Sequence, residues 1–438
     1  MPYNSDRDTS RSCRQHSASR GYILLLVVTM LGTTSCAQPS QIQLAGTQGQ
    51  ITKGPCLLRV CQDRAALMWE TDAQGQWGVS CGTPGQRDHY FTSMAEKVTY
   101  NRSGDGASKT VYIHKVWMDG LVPGRAYTYR VVGPDLRSDV YEFHTAPAET
   151  DEVRFIVYGD SRSQPEIHKK LVKQMIKCNV DFIVHTGDLA VRGDDYSLWS
   201  PQFFEPLKGL MERVPIYIAK GNHEGRNGNF EKLLIPPGEQ NSFMFDYGPL
   251  HYFCADNVSN AKDAARLAGS MIRDAEASKA PWKFVSYHVP SVNFGGHWSD
   301  WQQGNVLPAY ARAGVDFVVA GHSHQYERFR PVAPPEPTGS YVTYMTAGGG
   351  GAPLAKLQPA DLHACAKVAY HFCLFHIKGD TLTMDTIGLD GGVLDHLEIT
   401  KKGGRVDERY ASTAISVDAI RSYQSSHKIS NPLALPKN

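Results

Sequence analysis

The chain has 438 residues, 41% hydrophobic and 20% charged, with 45 basic and 44 acidic side chains and a formal net charge of +1. That length exceeds one ordinary core and suggests two folded units with accessories. The near-neutral balance gives no reason to expect nucleic acid or an acidic surface as partner.

The first 37 residues read as a targeting segment. Arg7, Arg11, Arg14 and Arg20 precede an apolar run, Tyr22 to Leu31, too short to span a bilayer as a helix but suited to a signal peptide. Small residues at Ser35, Cys36 and Ala37 place the cut after Ala37, with Cys36 as an alternative lipid-anchor site. Thr33 stands where a lipidation box normally has Leu, which favours plain export to a periplasmic or secreted location. No transmembrane span is expected. Without residues 1–37 the chain would hold 41 basic and 42 acidic residues. Export permits disulfides. Seven cysteines would remain, so at least one is unpaired; local bridges are expected among Cys56, Cys61 and Cys81 and between Cys365 and Cys373. No CxxC pair suggests a cysteine zinc site.

Residues 38–49, rich in Gln, Ser and Gly, read as a linker. Residues 50–147 alternate in the β manner between Gly, Pro and Asp clusters, and roughly seven short strands in an antiparallel sandwich fit them. The stretch Leu121 to Val131 resembles the corner of a fibronectin type III domain, where Tyr127 would tie its hydroxyl to nearby backbone. His89, His114 and His144 lack partners at ligand spacing and read as surface or satisfied core residues.

Residues 148–400 change to strand–loop–helix alternation, an α/β domain whose late strands suggest a mixed β-sandwich flanked by helices. Strands are expected at Val153 to Tyr158, Asp181 to Val184, Val214 to Ala219, Lys283 to His288 and Asp316 to Ala320, with two β segments around Phe243 to Asp256. Helices are expected from Pro165 to about Lys177, Tyr196 to about Arg213, Lys262 to Ser278 and near Asn305 to Ala313. Residues 401–438 look like a loosely held polar tail.

Five loops beside these strands carry chemistry: Gly159-Asp160-Ser161-Arg162, Gly187-Asp188, Gly221-Asn222-His223-Glu224, Val285 to His288, and Gly321-His322-Ser323-His324. In open α/β sheets ligands bind at that edge. Singly each is weak, since a lone Gly-Asp is more often a turn and Gly-Asn-His can cap a helix. Five in one domain are hard to assign to chance. Hydrolysis of a phosphate ester needs a nucleophile made from water and neutralisation of phosphoryl charge, which two divalent metals about 3.5–4 Å apart supply. Such a pair needs a shared carboxylate with mixed oxygen and nitrogen ligands, and Asp188 is the candidate for sharing.

This series resembles the calcineurin-like metallophosphoesterase superfamily. The N-terminal sandwich, the Val285-x-x-His288 form and the Tyr344 to Pro353 glycine run resemble purple acid phosphatases within it. The resemblance implies one metal at Asp160, Asp188 and His324, and another at Asp188, Asn222, His288 and His322. It implies in-line attack by a bridging hydroxide on a phosphate monoester, with His223 facing the substrate and Glu224 orienting its ring. His297 falls where such phosphatases carry a further substrate-side histidine, and a plain surface loop histidine is the alternative. Two positions depart from the pattern. Purple acid phosphatases have Tyr three residues after the shared Asp, where Val191 stands; other members have His two residues after the first Asp, where Arg162 stands. Zn, Mn and Fe all suit the ligands, and Arg162 is expected either to grip substrate phosphate bidentately or to form a surface salt bridge. A phosphodiesterase or nucleotidase on the same scaffold, or a surface-binding protein with a decayed metal site, are the alternative functions.

Overall fold

The computed structural model describes residues 45–86, 89–102, 106–259, 263–334, 340–357 and 359–427. The signal and lipid-anchor readings of residues 1–37 therefore lie outside the described residues.

Residues 51–144 form two four-stranded antiparallel sheets. Strands Ile51–Val60, Arg64–Thr71, Ser108–Asp119 and Met94–Asn101 make one sheet; His89–Thr92, Gly78–Gly82, Ala126–Val132 and Tyr141–His144 make the other. Leu67, Trp69, Trp77, Val79, Tyr129, Val131 and Phe143 fill the space between them. The Tyr127 hydroxyl accepts from the Val122 amide at 2.9 Å, the tie expected at that corner. His114 stacks on Trp69 with ring centroids 5.1 Å apart and meets the hydroxyls of Thr71 and Ser93. It is a satisfied core residue.

The second unit is built on two seven-stranded sheets. In the first, Ile216–Ile218, Phe182–His185 and Glu152–Tyr158 run parallel, and His371–Lys378, Thr381–Gly388 and Val393–Lys402 extend it antiparallel. In the second, Leu250–Cys254, Trp282–Tyr287, Phe317–Ala320 and Thr343–Ala347 run parallel, flanked by antiparallel strands. Phe155, Phe375, Phe284 and Phe317 interlock between the sheets through stacked and edge contacts. Strands such as Phe182–His185 are buried along their whole length, which explains their unbroken apolar runs.

Helices cover the outer faces. Pro165–Met175 buries Leu171, Val172 and Met175 on the first sheet. Ala264–Ala277 and Gln303–Ala313 cover the second sheet. The single helix expected over Tyr196 to Arg213 is instead a 3₁₀ turn, a π turn at Ser200–Phe204 and a short α turn at Glu205–Leu207. Pro201 and Pro206 each remove an amide donor there, and Gly209 turns the chain out with φ 95°.

Residues 401–427 are not a loose tail. Strand Arg405–Val406 pairs with Lys401 and Lys402, and helices Glu408–Ala411 and Val417–Ser426 bury Tyr410, Ile420 and Gln424. Ser416 caps the last helix by accepting from the Ala419 amide.

The expected disulfides differ as well. Cys56 is a free buried thiol that packs toward the second unit, and Cys365 and Cys373 are free thiols on strands of different sheets. Cys61 is disulfide-bonded.

Candidate metal centre

The chemistry-bearing loops leave the ends of parallel strands in both sheets and meet across one edge. Asp160 follows strand Glu152–Tyr158, Asp188 follows Phe182–His185, His288 follows Trp282–Tyr287, and His322 follows Phe317–Ala320. Asp160, Asp188 and His322 adopt left-handed backbone, with φ of 57°, 61° and 69°. That conformation is uncommon outside glycine and persists where surrounding structure enforces it. Asn222 to Glu224 form a single 3₁₀ turn after Ile216–Ile218. Gly221 lets this turn close on Asp188, since a Cβ there would stand 2.3 Å from Asp188 Oδ1.

Asp160 is fully buried, Asp188 1% exposed and His288 fully buried. One ligand atom from each of the three falls within 4.8 Å of the others. His288 Nδ1 donates to the Thr186 carbonyl at 2.8 Å, which aims the Nε2 lone pair at Asp188 Oδ1, 3.3 Å away, and Asn222 Oδ1, 2.9 Å away. His322 Nδ1 lies 3.0 Å from the same Asn222 oxygen and 3.2 Å from His288 Nε2. Ligand-type nitrogen and oxygen atoms thus converge on one point, an arrangement that suits a cation. His324 Nδ1 donates to the Pro353 carbonyl at 2.9 Å, aiming its Nε2 at Asp160 Oδ1, 3.6 Å away. Asp160 Oδ1 is buried with no hydrogen-bond partner, while Oδ2 accepts from the His322 amide at 2.8 Å.

Burial, against the pull of Asp188, pushes His288 and His322 below the usual imidazole range; burial and the Arg162 charge take His324 down to about 4. These rings are neutral bases at neutral pH, the state that metal ligation requires. Burial and the charge on Asp188 raise Asp160. Burial opposes ionisation of Asp188 too, but His288, His223 and Arg162 outweigh it and hold that carboxyl low. The shared charge therefore rests on Asp188.

His223 stands at the rim. Its Nδ1 donates to the Val191 carbonyl at 2.7 Å, and its Nε2 faces Asp188 Oδ2 at 3.9 Å. A cleft of about 540 Å³ opens beside it, lined by Val191 to Asp195, Asn222, His223 and Gly225. Glu224 does not orient the His223 ring, contrary to expectation. Its carboxylate instead accepts the amides of Asp188, Leu189 and Gly221 at 2.9, 2.7 and 2.6 Å. His297 is half-buried over the site, its ring centroid 5.2 Å from His322 and 5.1 Å from His324.

Arg162 is not on the surface. Its Nε donates to Asp188 Oδ2 at 3.2 Å, its Nη2 to His324 Nε2 at 3.3 Å and its Nη1 to Ser163 Oγ at 3.2 Å. A surface salt bridge is therefore excluded, and a bidentate grip on substrate would compete with these contacts. Several supporting groups carried no sequence signal: Thr186 and Pro353 act through carbonyls, Asn257 Oδ1 accepts from the His288 amide, and Gln202 Oε1 holds the amides of Ser163 and Val191.

A calcineurin-like phosphoesterase model matches residues 153–326, and a purple acid phosphatase N-terminal domain model matches residues 59–145. The chain joins a calcineurin-like metallophosphoesterase domain to a purple acid phosphatase N-terminal domain. The second match falls on the N-terminal sandwich. Purple acid phosphatase 21 of Arabidopsis thaliana is 27% identical over 58% of this chain and 63% of its own length. A probable inactive purple acid phosphatase 1 from the same plant is 25% identical over 65% of this chain and 57% of its own. Human acid phosphatase type 7 is 24% identical over 51% and 58%. The chain thus spans about three fifths of the length of these curated relatives. Among solved structures, the purple acid phosphatase PPD1 from yellow lupin superposes with TM-score 0.62 at 18% identity, covering 85% of this chain and 76% of its own. PhoD superposes with TM-score 0.56 at 12% identity, covering 85% and 96%. These superpositions show that the fold is shared over most of the chain.

Proposed function

We propose that the protein is an exported, metal-dependent phosphoesterase that hydrolyses phosphate monoesters in the manner of an acid phosphatase. The observation that carries this reading is the convergence of Asp188, Asn222, His288 and His322 beside an open cleft, with the His288 lone pair directed inward by the Thr186 carbonyl. Asp160 and His324 complete the ligand-type set, and the orphaned Asp160 Oδ1 fits a cation. Held by these residues, a divalent ion such as Zn, Mn or Fe would supply Lewis-acid charge toward a phosphoryl group and would ease deprotonation of water.

The chain's own side chains supply the rest. His223 Nε2 points toward the substrate side because its Nδ1 is held by Val191, so it is placed to hydrogen-bond a phosphoryl oxygen or protonate the leaving oxygen. His297 closes the site over His322 and His324. Glu224 is a positioning residue that fixes the Asp188 loop against the Asn222 turn.

The test measures bound metal and hydrolysis of p-nitrophenyl phosphate and its bis-ester by the purified protein and by Asn222→Ala. Monoester turnover is expected to exceed diester turnover and to fall at least about 100-fold in the variant. Protein that binds no metal and releases no product with added Mn or Zn would sink the proposal. Faster diester turnover would replace it with a phosphodiesterase.

A further inference from the structure

The expected first metal position draws on Asp160, Asp188 and His324, and Arg162 reaches into that set. Because His324 Nδ1 donates to Pro353, its Nε2 can only accept, and it does so from Arg162 Nη2 at 3.3 Å. The same guanidinium takes Asp188 Oδ2 through Nε at 3.2 Å. A metal ion would need those two lone pairs at about 2.0–2.2 Å. The planar fork already spans both acceptors, so an ion and the guanidinium cannot share the place.

The backbone holds the arginine there. Its amide donates to the Asp188 carbonyl at 3.2 Å, and the next residue, Ser163, takes left-handed backbone at φ 75° with its amide on Gln202 Oε1. Only 9% of Arg162 is exposed. No comparable cation enters the other group among the described residues: Asn222, His288 and His322 face one another and Asp188 directly.

We infer that Arg162 is a built-in cation standing in place of one of two metal ions. The site then takes one divalent ion, at Asp188, Asn222, His288 and His322, and the guanidinium provides the second positive charge facing the phosphoryl group. This inference rests on the phosphoesterase reading for its purpose, but its content is a stoichiometry.

The full chain, freed of metal by dialysis, is titrated with Mn(II). Bound ion per chain is measured by mass spectrometry, and the spin state by electron paramagnetic resonance. The expected result is one ion per chain with the six-line spectrum of an isolated Mn(II). Arg162→His, which exchanges the cation for a neutral nitrogen ligand, is expected to bind two ions and show an exchange-coupled spectrum; Arg162→Lys is expected to stay at one. Two coupled ions in the unaltered protein would overturn the inference, and that measurement stands even if a variant fails to fold. One ion in both the unaltered protein and a folded Arg162→His would overturn it too, and so would no ion at all. Phosphate release is scored separately: one ion without hydrolysis would sink the phosphatase reading and leave the arginine's place standing.

Discussion

Glu224 shows how a side chain can matter to a site without facing it. Burial and the nearby charge on Asp188 push its carboxyl up to about 8, against three amides that donate to it. Glu224→Gln keeps the shape but presents an NH₂ group to at least one of those donors. The expected cost is about 1–3 kcal/mol of stability and a 10–100-fold loss of Mn(II) affinity. Thermal melting and metal titration check both, and unchanged affinity would count against a positioning role. Residue types at this scale were legible in the sequence: carboxylates, an asparagine and histidines beside glycines at strand ends announce a metal site. Their partners were not, because Thr186, Val191 and Pro353 act through backbone carbonyls, which every residue possesses. Of the two readings of Arg162 only the surface salt bridge fails, since its guanidinium reaches inward to Asp188 and His324, which no local pattern announces.

At the scale of elements, the Gly348 to Gly351 run earns its composition. The Gly159 amide donates to the Ala347 carbonyl, the Gly350 amide to the Gly159 carbonyl and the Ala352 amide to the Asp160 carbonyl, all at 2.8–2.9 Å. The run therefore lies against the Asp160 loop as a backbone layer. A Cβ on Gly350 would stand 2.4 Å from the Gly159 carbonyl oxygen. Gly350→Ala should push the two segments apart, costing about 1–3 kcal/mol and weakening metal retention at Asp188, because the Asp160 amide in that loop donates to the Gly187 carbonyl. Calorimetry and metal analysis test this, and a variant within about 0.5 kcal/mol of the parent would refute the close fit. The strands of both units were readable from periodicity, because burial on both faces leaves uninterrupted apolar runs. The last helix was not. Val417–Ser426 is short, and only Ile420 and Gln424 are buried along it, so its pattern resembles that of a polar loop. It nonetheless supports the site: Tyr423 stacks on Phe294 at 4.3 Å, three residues before His297, and Gln424 meets Gln303.

For the whole molecule, the sandwich and the phosphoesterase domain share a core. Cys56, Leu58, Met68 and Ile113 pack with Trp199, Phe203 and Leu207, and the Tyr217 hydroxyl donates to the Val60 carbonyl. Lys53, Glu70 and Tyr196 form a buried polar link across the same boundary. Global stability should carry a pH signature from His251. Burial works against its charge, but Asp246 and Asp274 at 2.7 and 2.6 Å raise it to about 9. With an unfolded value near 6.5, its stabilisation is complete below that pH and is lost as pH rises through about 9. The melting temperature should fall across that window by the equivalent of about 3 kcal/mol. His251→Gln should flatten the decline, and parallel curves for the two proteins would remove His251 as its source.

One consequence of the Glu224 clasp concerns breathing motions. Its single carboxylate holds amides from the Asp188 loop and from Gly221 at the head of the next turn. Neither loop can swing out alone without leaving buried donors unanswered, so the amides of Asp188, Leu189 and Gly221 belong to one cooperative opening unit. Solvent deuterium would enter all three together, and the two halves of the ligand set would be lost and regained as one event.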